Sequence, residues 1–238
     1  MNFSPQIHEL NNLISTADEQ TGIISIWGDV GVGKTTLCFG ATLKTLSDDK
    51  KVIYINTKSF FKSERFLQVK KFYPDFNNSN FLVYNPSTFS QQIKIIMNLE
   101  FLILKEIKML KHSNIGLIVL DTASTLKTLE MSSNDVNNKM QLMLNMGLAT
   151  LDYIIREYKI PVIITNRLIR QYNELSDESI EKPSNANSVN FWAKSSFKIE
   201  RTNKAGYRLL ILEKHPRNKL KNLKLKLSES GFDDPTNP

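Results

Sequence analysis

Apolar residues along this chain arrive in short blocks that alternate between two periods. Residues 22–27 (GIISIW), 51–56 (KVIYIN), 80–84 (NFLVY), 115–120 (IGLIVL) and 161–165 (PVIIT) are brief runs rich in Ile, Val, Leu and aromatic side chains. Runs this short and this apolar suit strands covered on both faces, as in parallel sheets. Between them lie segments with helical spacing: 35–46, a charged and aromatic stretch around 62–72, 90–112 with Ser87 or Thr88 as N-cap, and about 138–158. Strands alternating with helices of this length predict right-handed crossovers and an α/β fold, a mostly parallel twisted sheet flanked by helices. The last part changes character. Residues 195–201, 207–214 and 223–227 are strand-like with short connections, which predicts antiparallel strands added at the C-terminal edge.

Two polar stretches interrupt the pattern. Residues 171–188, rich in Asn, Ser and acid, read as a long mobile loop, and 228–238, with Gly, Asp and two Pro, as a frayed tail. A length of 238 residues, 41% of them hydrophobic and 23% charged, predicts one folded domain over 1–238 rather than a disordered chain. No apolar run approaches the roughly 20 residues of a membrane-spanning helix, and the N-terminus lacks a leader pattern. The expected location is therefore cytoplasmic, with no membrane partner. Cys38 is alone, which excludes an internal disulfide and a cysteine-based zinc cluster; it reads as a small core residue. Charge is unevenly placed: the chain carries +7, while residues 194–226 hold eleven Lys or Arg against Glu200 and Glu213. A basic C-terminal third on a nearly neutral body favours an anionic partner.

The chemistry-bearing motif begins where the first strand ends. Gly28-Asp29-Val30-Gly31-Val32-Gly33-Lys34-Thr35 fits G-x-x-x-x-G-K-[ST], with a strand before it and a helix, entered at Lys34-Thr35-Thr36, after it. The glycines let the backbone curl until successive N–H groups face a β-phosphate, and the helix adds its positive end. Lys34 can reach the β- and γ-phosphates of ATP, and the Thr35 hydroxyl can ligate Mg²⁺. Asp121 closes the apolar strand 117–120, where a parallel sheet delivers its carboxylate to the same edge as a second holder of Mg²⁺.

The P-loop at 28–36, the phrases YINTKSFFKSERF at 54–66, LIVLDTASTL at 117–126, VIITN at 162–166 and LEKH at 212–215 occur in the order of the RecA/RadA recombinase core, which the chain resembles over about residues 8–232. Within that superfamily it looks most like the short archaeal RadB paralogues. The resemblance implies a RecA-like ATPase core without a helical N-terminal DNA-binding domain. It implies ATP and Mg²⁺ as cofactors, DNA as partner, and work in recombinational repair beside a full-length recombinase or other repair protein; a homo-oligomer stays open. Two positions depart from the family. Lys58 stands where a glutamate polarises the attacking water, and Arg167 where a glutamine senses the γ-phosphate. An ammonium has no lone pair to act as a general base, and a guanidinium accepts no hydrogen bond from water. Nucleotide binding with weak or absent hydrolysis is the expectation; a nearby acid such as Glu64 could substitute, but the resemblance implies that its helix points it away.

By the same resemblance two loops, about 127–138 and 168–188, touch DNA. The second opens on Arg167, Arg170 and Tyr172, two phosphate-pairing groups and a stacking ring, before turning acidic. Further along, Lys214, Arg217, Lys219, Lys221 and Lys224 are candidate phosphate contacts, and the alternation in 220–227 sets lysines on one face of a strand and leucines on the other. Such a row also serves to keep an edge strand from pairing with other chains. Two other readings stay open: a degenerate nucleotide-binding paralogue acting only through protein partners, and a KaiC-like signalling ATPase.

Overall fold

Ile, Val and Leu at consecutive positions leave a strand with no polar face, so such strands are stable only in the interior of a sheet. The computed structural model, which describes residues 7–8, 10–11, 22–58, 61, 63–173, 178–216 and 221–235, places four of the five apolar runs there and the fifth, at 80–84, on the sheet edge, where it is only partly covered. The strands are β1 (Ile23–Gly28), β2 (Lys51–Asn56), β3 (Phe81–Tyr84), β4 (Ile115–Asp121), β5 (Val162–Asn173), β6 (Glu178–Pro183), β7 (Ala193–Arg201), β8 (Tyr207–Lys214), β9 (Lys221–Ser228) and β10 (Gly231–Asp233). Among the described residues they form one sheet in the order β10-β9-β8-β7-β1-β5-β4-β2-β3, with β6 on the far part of β5. The helices are α1 (Lys34–Ser47), α2 (Ser63–Lys70), α3 (Phe89–Met97), α4 (Leu99–Leu110), α5 (Thr125–Glu130), α6 (Asn134–Tyr158) and α7 (Ala186–Trp192). Successive residues of each central strand enter opposite cores. Ile24, Ile26, Val52, Tyr54, Leu117 and Val119 pack with Leu37, Phe39 and Leu43 of α1. Ile23, Ile53, Ile55, Ile118 and Leu120 pack with α3, α4 and α6. Cys38 is fully buried in the first of these cores.

Parallel register decides what meets at the carboxyl edge. Gly28 pairs with Arg167 and with Ile199, Asp121 with Thr165, and Asn56 with Asp121. The P-loop, the end of β4 and the end of β2 therefore open on one crevice, as open α/β sheets generally bind ligands.

The structure corrects four expectations. Residues 90–112 are two helices rather than one. Asn98 closes α3 with its side-chain amide on the Lys94 carbonyl at 2.7 Å, a local bond that competes with helix propagation, and Thr88 is the N-cap, accepting from the Gln91 amide at 3.1 Å. The stretch 171–188 contains structure: β5 continues to Asn173 and pairs antiparallel with β6, and α7 follows. Its acids suggested a loop, but in the hairpin Glu181 faces cations, 3.0 Å from both Arg170 and Lys198, while Glu174 and Asp177 lie outside the described residues. The first loop, 127–138, is mostly helix, since α5 runs to Glu130 and α6 starts at Asn134. The tail is ordered as far as β10, because Phe232, 2% exposed, plugs into the core beside α1. The C-terminal strands also differ in detail: β7 lies parallel to β1, and only β8, β9 and β10 alternate direction. On β9, Leu223 and Leu225 are buried and Lys224 exposed, as the alternation predicts, while Lys221, on the leucines' side of the pleat, is exposed at the start of the strand. Among the described residues no helix is long and apolar enough to cross a membrane.

Candidate nucleotide-binding site

At Gly28 β1 turns into the loop with φ +148, and a Cβ there would lie 2.3 Å from the Ile199 carbonyl oxygen. Backbone conformation and the closeness of β7 both demand glycine. Gly33 (φ +111) makes the last turn before α1, with the Phe232 ring 2.6 Å from where a Cβ would sit. No side chain caps α1 and its first turn carries no acid, so its leading amides and positive dipole end are left for an anion. The loop is braced from outside. Arg201 donates to the Val30 carbonyl at 2.7 Å, and Arg208 to that of Val32 at 3.1 Å. Arg65 reaches Thr36 Oγ1 at 3.5 Å and the Ser228 carbonyl at 2.6 Å. Sequence reasoning missed these three as parts of the site. Arg65 had a signal, lying in the family phrase at 63–66; Arg201 and Arg208 are lost among the eleven cations of the basic stretch.

A cavity of about 510 Å³ opens on the loop, lined by Val30, Gly31, Gly33, Lys34, Thr35 and Thr36 and, across from them, Lys58, Arg65, Thr122, Arg167 and Leu227. Lys34 folds back on the loop, its ammonium 2.7 Å from the Gly28 carbonyl and 2.6 Å from that of Asp29. Burial, with the nearby Lys58 charge, brings its pKa down to about 8. Asp29 sits beside the loop within 3.5 Å of Arg201 and 4.0 Å of Arg170.

Asp121 is fully buried and accepts from Thr35 Oγ1 at 2.9 Å, Tyr54 Oη at 3.0 Å and Thr165 Oγ1 at 2.5 Å. Its remaining partner is Lys58, whose Nζ lies 2.8 and 2.7 Å from the two carboxylate oxygens and also donates to Thr35 Oγ1. Burial alone would raise the Asp121 pKa; the Lys58 charge and the hydrogen bonds from Lys58, Thr165 and Thr35 outweigh it and hold the carboxyl below its ordinary range.

The two residues expected to hold Mg²⁺ are therefore brought together, but their oxygens converge on an ammonium. Mg²⁺ requires oxygen ligands at about 2.0–2.1 Å in near-octahedral array. With both carboxylate oxygens of Asp121 and the Thr35 hydroxyl committed to Lys58, these donors do not fit a divalent ion as they stand. Glu64 is exposed and does not line the cavity, so it offers no replacement base.

The nucleic-acid candidates fall into two groups. Arg167 is exposed at the cavity wall, and Arg170 points along the β5–β6 hairpin to Glu181. Tyr172 is paired by its backbone to Ser179 in that hairpin. Lys221 and Lys224 lie on β9, four strands from β5, or about 19 Å at the usual strand spacing. Lys214, at the end of β8, donates to the Asn190 carbonyl at 2.5 Å, and Lys224 stands 5.2 Å over the Tyr207 ring. Arg217 and Lys219 lie outside the described residues. Among the described residues the basic candidates thus fall on two separate parts of the sheet.

Comparison with known proteins places this geometry in context. The sequence profile of the Rad51 family matches residues 2–235. A protein of Methanococcus maripaludis (strain C5) named "DNA repair and recombination protein RadB" is 30% identical over 226 residues, 94% of this chain and 96% of its own length. A protein of the same name from Methanocaldococcus jannaschii is also 30% identical, over 92% of this chain and 97% of its own. A solved structure described as "Crystal structure of the RadB recombinase" superposes with a TM-score of 0.71 at 24% identity, covering 95% of this chain and 96% of that one; it supports the RecA-like fold.

Proposed function

The chain belongs to the Rad51 family, and from that premise we propose that it is a RadB-like protein of DNA repair and recombination that binds ATP at the P-loop, hydrolyses it slowly or not at all, and binds DNA. The observation that carries the nucleotide half is the junction of loop and strand: Thr35, the first threonine of α1, contacts Asp121 at 2.9 Å beneath uncapped helix amides. Slow hydrolysis follows from what stands at the cavity wall. Lys58 and Arg167 are there, and neither accepts a hydrogen bond from water. ATP then acts as a ligand whose binding favours one state of the protein rather than as a fuel. Calorimetric titration with ATP together with a turnover assay tests this reading. Binding with little turnover agrees with it, and turnover at the rate of an ordinary recombinase does not.

Lys34 makes the binding step report on itself. With a pKa of about 8 its side chain is about half protonated at pH 8, and a polyphosphate drawn against it stabilises the charged form. ATP binding at pH 8 is expected to take up a fraction of a proton from buffer, and less at pH 7, where Lys34 is mostly charged already. Titrations in two buffers of different ionisation enthalpy measure this; equal heats at pH 8 count against the assignment.

The DNA half rests on Arg167 at the nucleotide cavity, on Arg170 and Tyr172 farther along β5, and on Lys221 and Lys224. Anisotropy titrations with labelled DNA, with and without ATP, are expected to show affinity falling as salt rises. Arg167→Ala and Lys224→Ala are each expected to lower the slope of log K against log salt by about 1. Binding that is absent or insensitive to salt favours the reading in which the chain works only through protein partners. That reading draws support from Arg170, whose charge is answered by Glu181.

A further inference from the structure

Lys58 is placed by its backbone and not by chance of rotamer alone. The neighbouring Thr57 donates its amide to the Asp121 carbonyl at 2.9 Å and its hydroxyl to the Thr122 carbonyl at 2.8 Å. It also accepts from the Thr122 amide at 2.8 Å, while the Asn56 side chain donates to the Lys58 carbonyl at 3.1 Å. The ends of β2 and β4 are thereby locked, and the Lys58 side chain leaves that lock directly over the Asp121 carboxylate. Its ammonium meets both oxygens of a fully buried carboxylate and the hydroxyl of Thr35, the same three oxygens a divalent cation would take. The side chain is only a quarter exposed, yet lines the cavity at the P-loop. Around that cavity stand Lys34, Lys58, Arg65 and Arg167, and among the described residues its lining includes no carboxylate. Four fixed cations suit a polyphosphate that arrives with its own charge unneutralised.

We infer that the Lys58 ammonium stands in for the divalent cation of this site, so that the chain takes up a nucleoside triphosphate as the free polyphosphate, without metal. The inference rests on the nucleotide reading above and adds to it the form in which the ligand binds. The ammonium neutralises Asp121, which would otherwise repel the phosphates, and adds its positive charge to the cavity while its three N–H bonds stay on Asp121 and Thr35. It does so without the Lewis acidity of a metal, in keeping with slow hydrolysis.

The test is calorimetric titration with ATP in Mg²⁺ and in EDTA, on wild type and on Lys58→Ala. Wild type is expected to bind ATP at least as tightly in EDTA as in Mg²⁺. Lys58→Ala, with Asp121 and Thr35 freed, is expected to bind about tenfold or more tightly in Mg²⁺ than in EDTA, the scale of one charge-assisted contact. Electron paramagnetic resonance with Mn²⁺ and ATP gives a second signature. Protein-bound Mn²⁺ is expected in Lys58→Ala and not in wild type. Wild-type affinity that falls tenfold or more in EDTA, or protein-bound Mn²⁺ in wild type, overturns the inference while leaving the nucleotide reading intact. No ATP binding by wild type in either medium refutes the nucleotide reading and takes this inference with it. Should Lys58→Ala fail to fold, the wild-type comparison decides alone.

Discussion

Replacing Lys58 by Glu and Arg167 by Gln together is expected to raise ATP turnover about 10²–10⁴-fold over wild type, the range a positioned water-orienting group contributes. Lys58 extends from the end of β2 into the cavity, so a glutamate there faces the same space as the ammonium does now. Arg167, on β5 level with Gly28 of β1, also lines the cavity. The single Lys58→Glu variant is expected to recover only part of the gain, since Arg167 still offers water no acceptor. A new carboxylate beside Asp121 sets two like charges together, so phosphate release is assayed in Mg²⁺, with and without DNA. A double variant no faster than wild type would show that more than these two side chains has drifted.

Asp121→Ala is expected to destabilise the fold by about 3–5 kcal/mol, as when one partner of a buried pair is removed. The lost carboxylate leaves the Lys58 ammonium unpaired and strips the acceptor from Tyr54 and Thr165. The ammonium is a quarter exposed and drawn partly to solvent, which favours the lower end of that range. Adding Lys58→Met is expected to return part of the loss, because no orphan charge then remains. Urea unfolding measures both; a loss under about 1 kcal/mol for the single variant contradicts the geometry. The same carboxyl sets an acid limb. Its folded pKa lies below the ordinary value, so its contribution is complete above the unfolded pKa, about 3.9, and disappears as pH falls through the folded one. Asp121→Asn is expected to flatten stability against pH below about pH 4.

What the chain reveals without its fold is decided by local rules. All five apolar runs became parallel strands, and four of them form the buried centre because consecutive β-branched residues admit no exposed face, while 80–84 took the edge. The P-loop was legible because glycines at 28, 31 and 33 serve a backbone path that few other residues can follow. The position of Asp121 at the strand end required only that β4 be parallel to its neighbours.

Where legibility stopped, the deciding forces were long-range. The acids of 178–183 look like loop residues until Glu181 is set against Arg170 and Lys198, a pairing that exists only once β5, β6 and β7 have come together. Phe232 belongs to a frayed tail in sequence and to the core in the fold, since nothing local announces the gap beside α1 that it fills. The clearest case is Lys58. The sequence, by its resemblance to the recombinase core, led to the expectation that Lys58 stands where the family has a glutamate. Only the tertiary structure decided that a cation had taken up the oxygens of Thr35 and Asp121, because residues 35, 58 and 121 are brought within bonding distance by the register of β2 and β4 against the helix that follows β1.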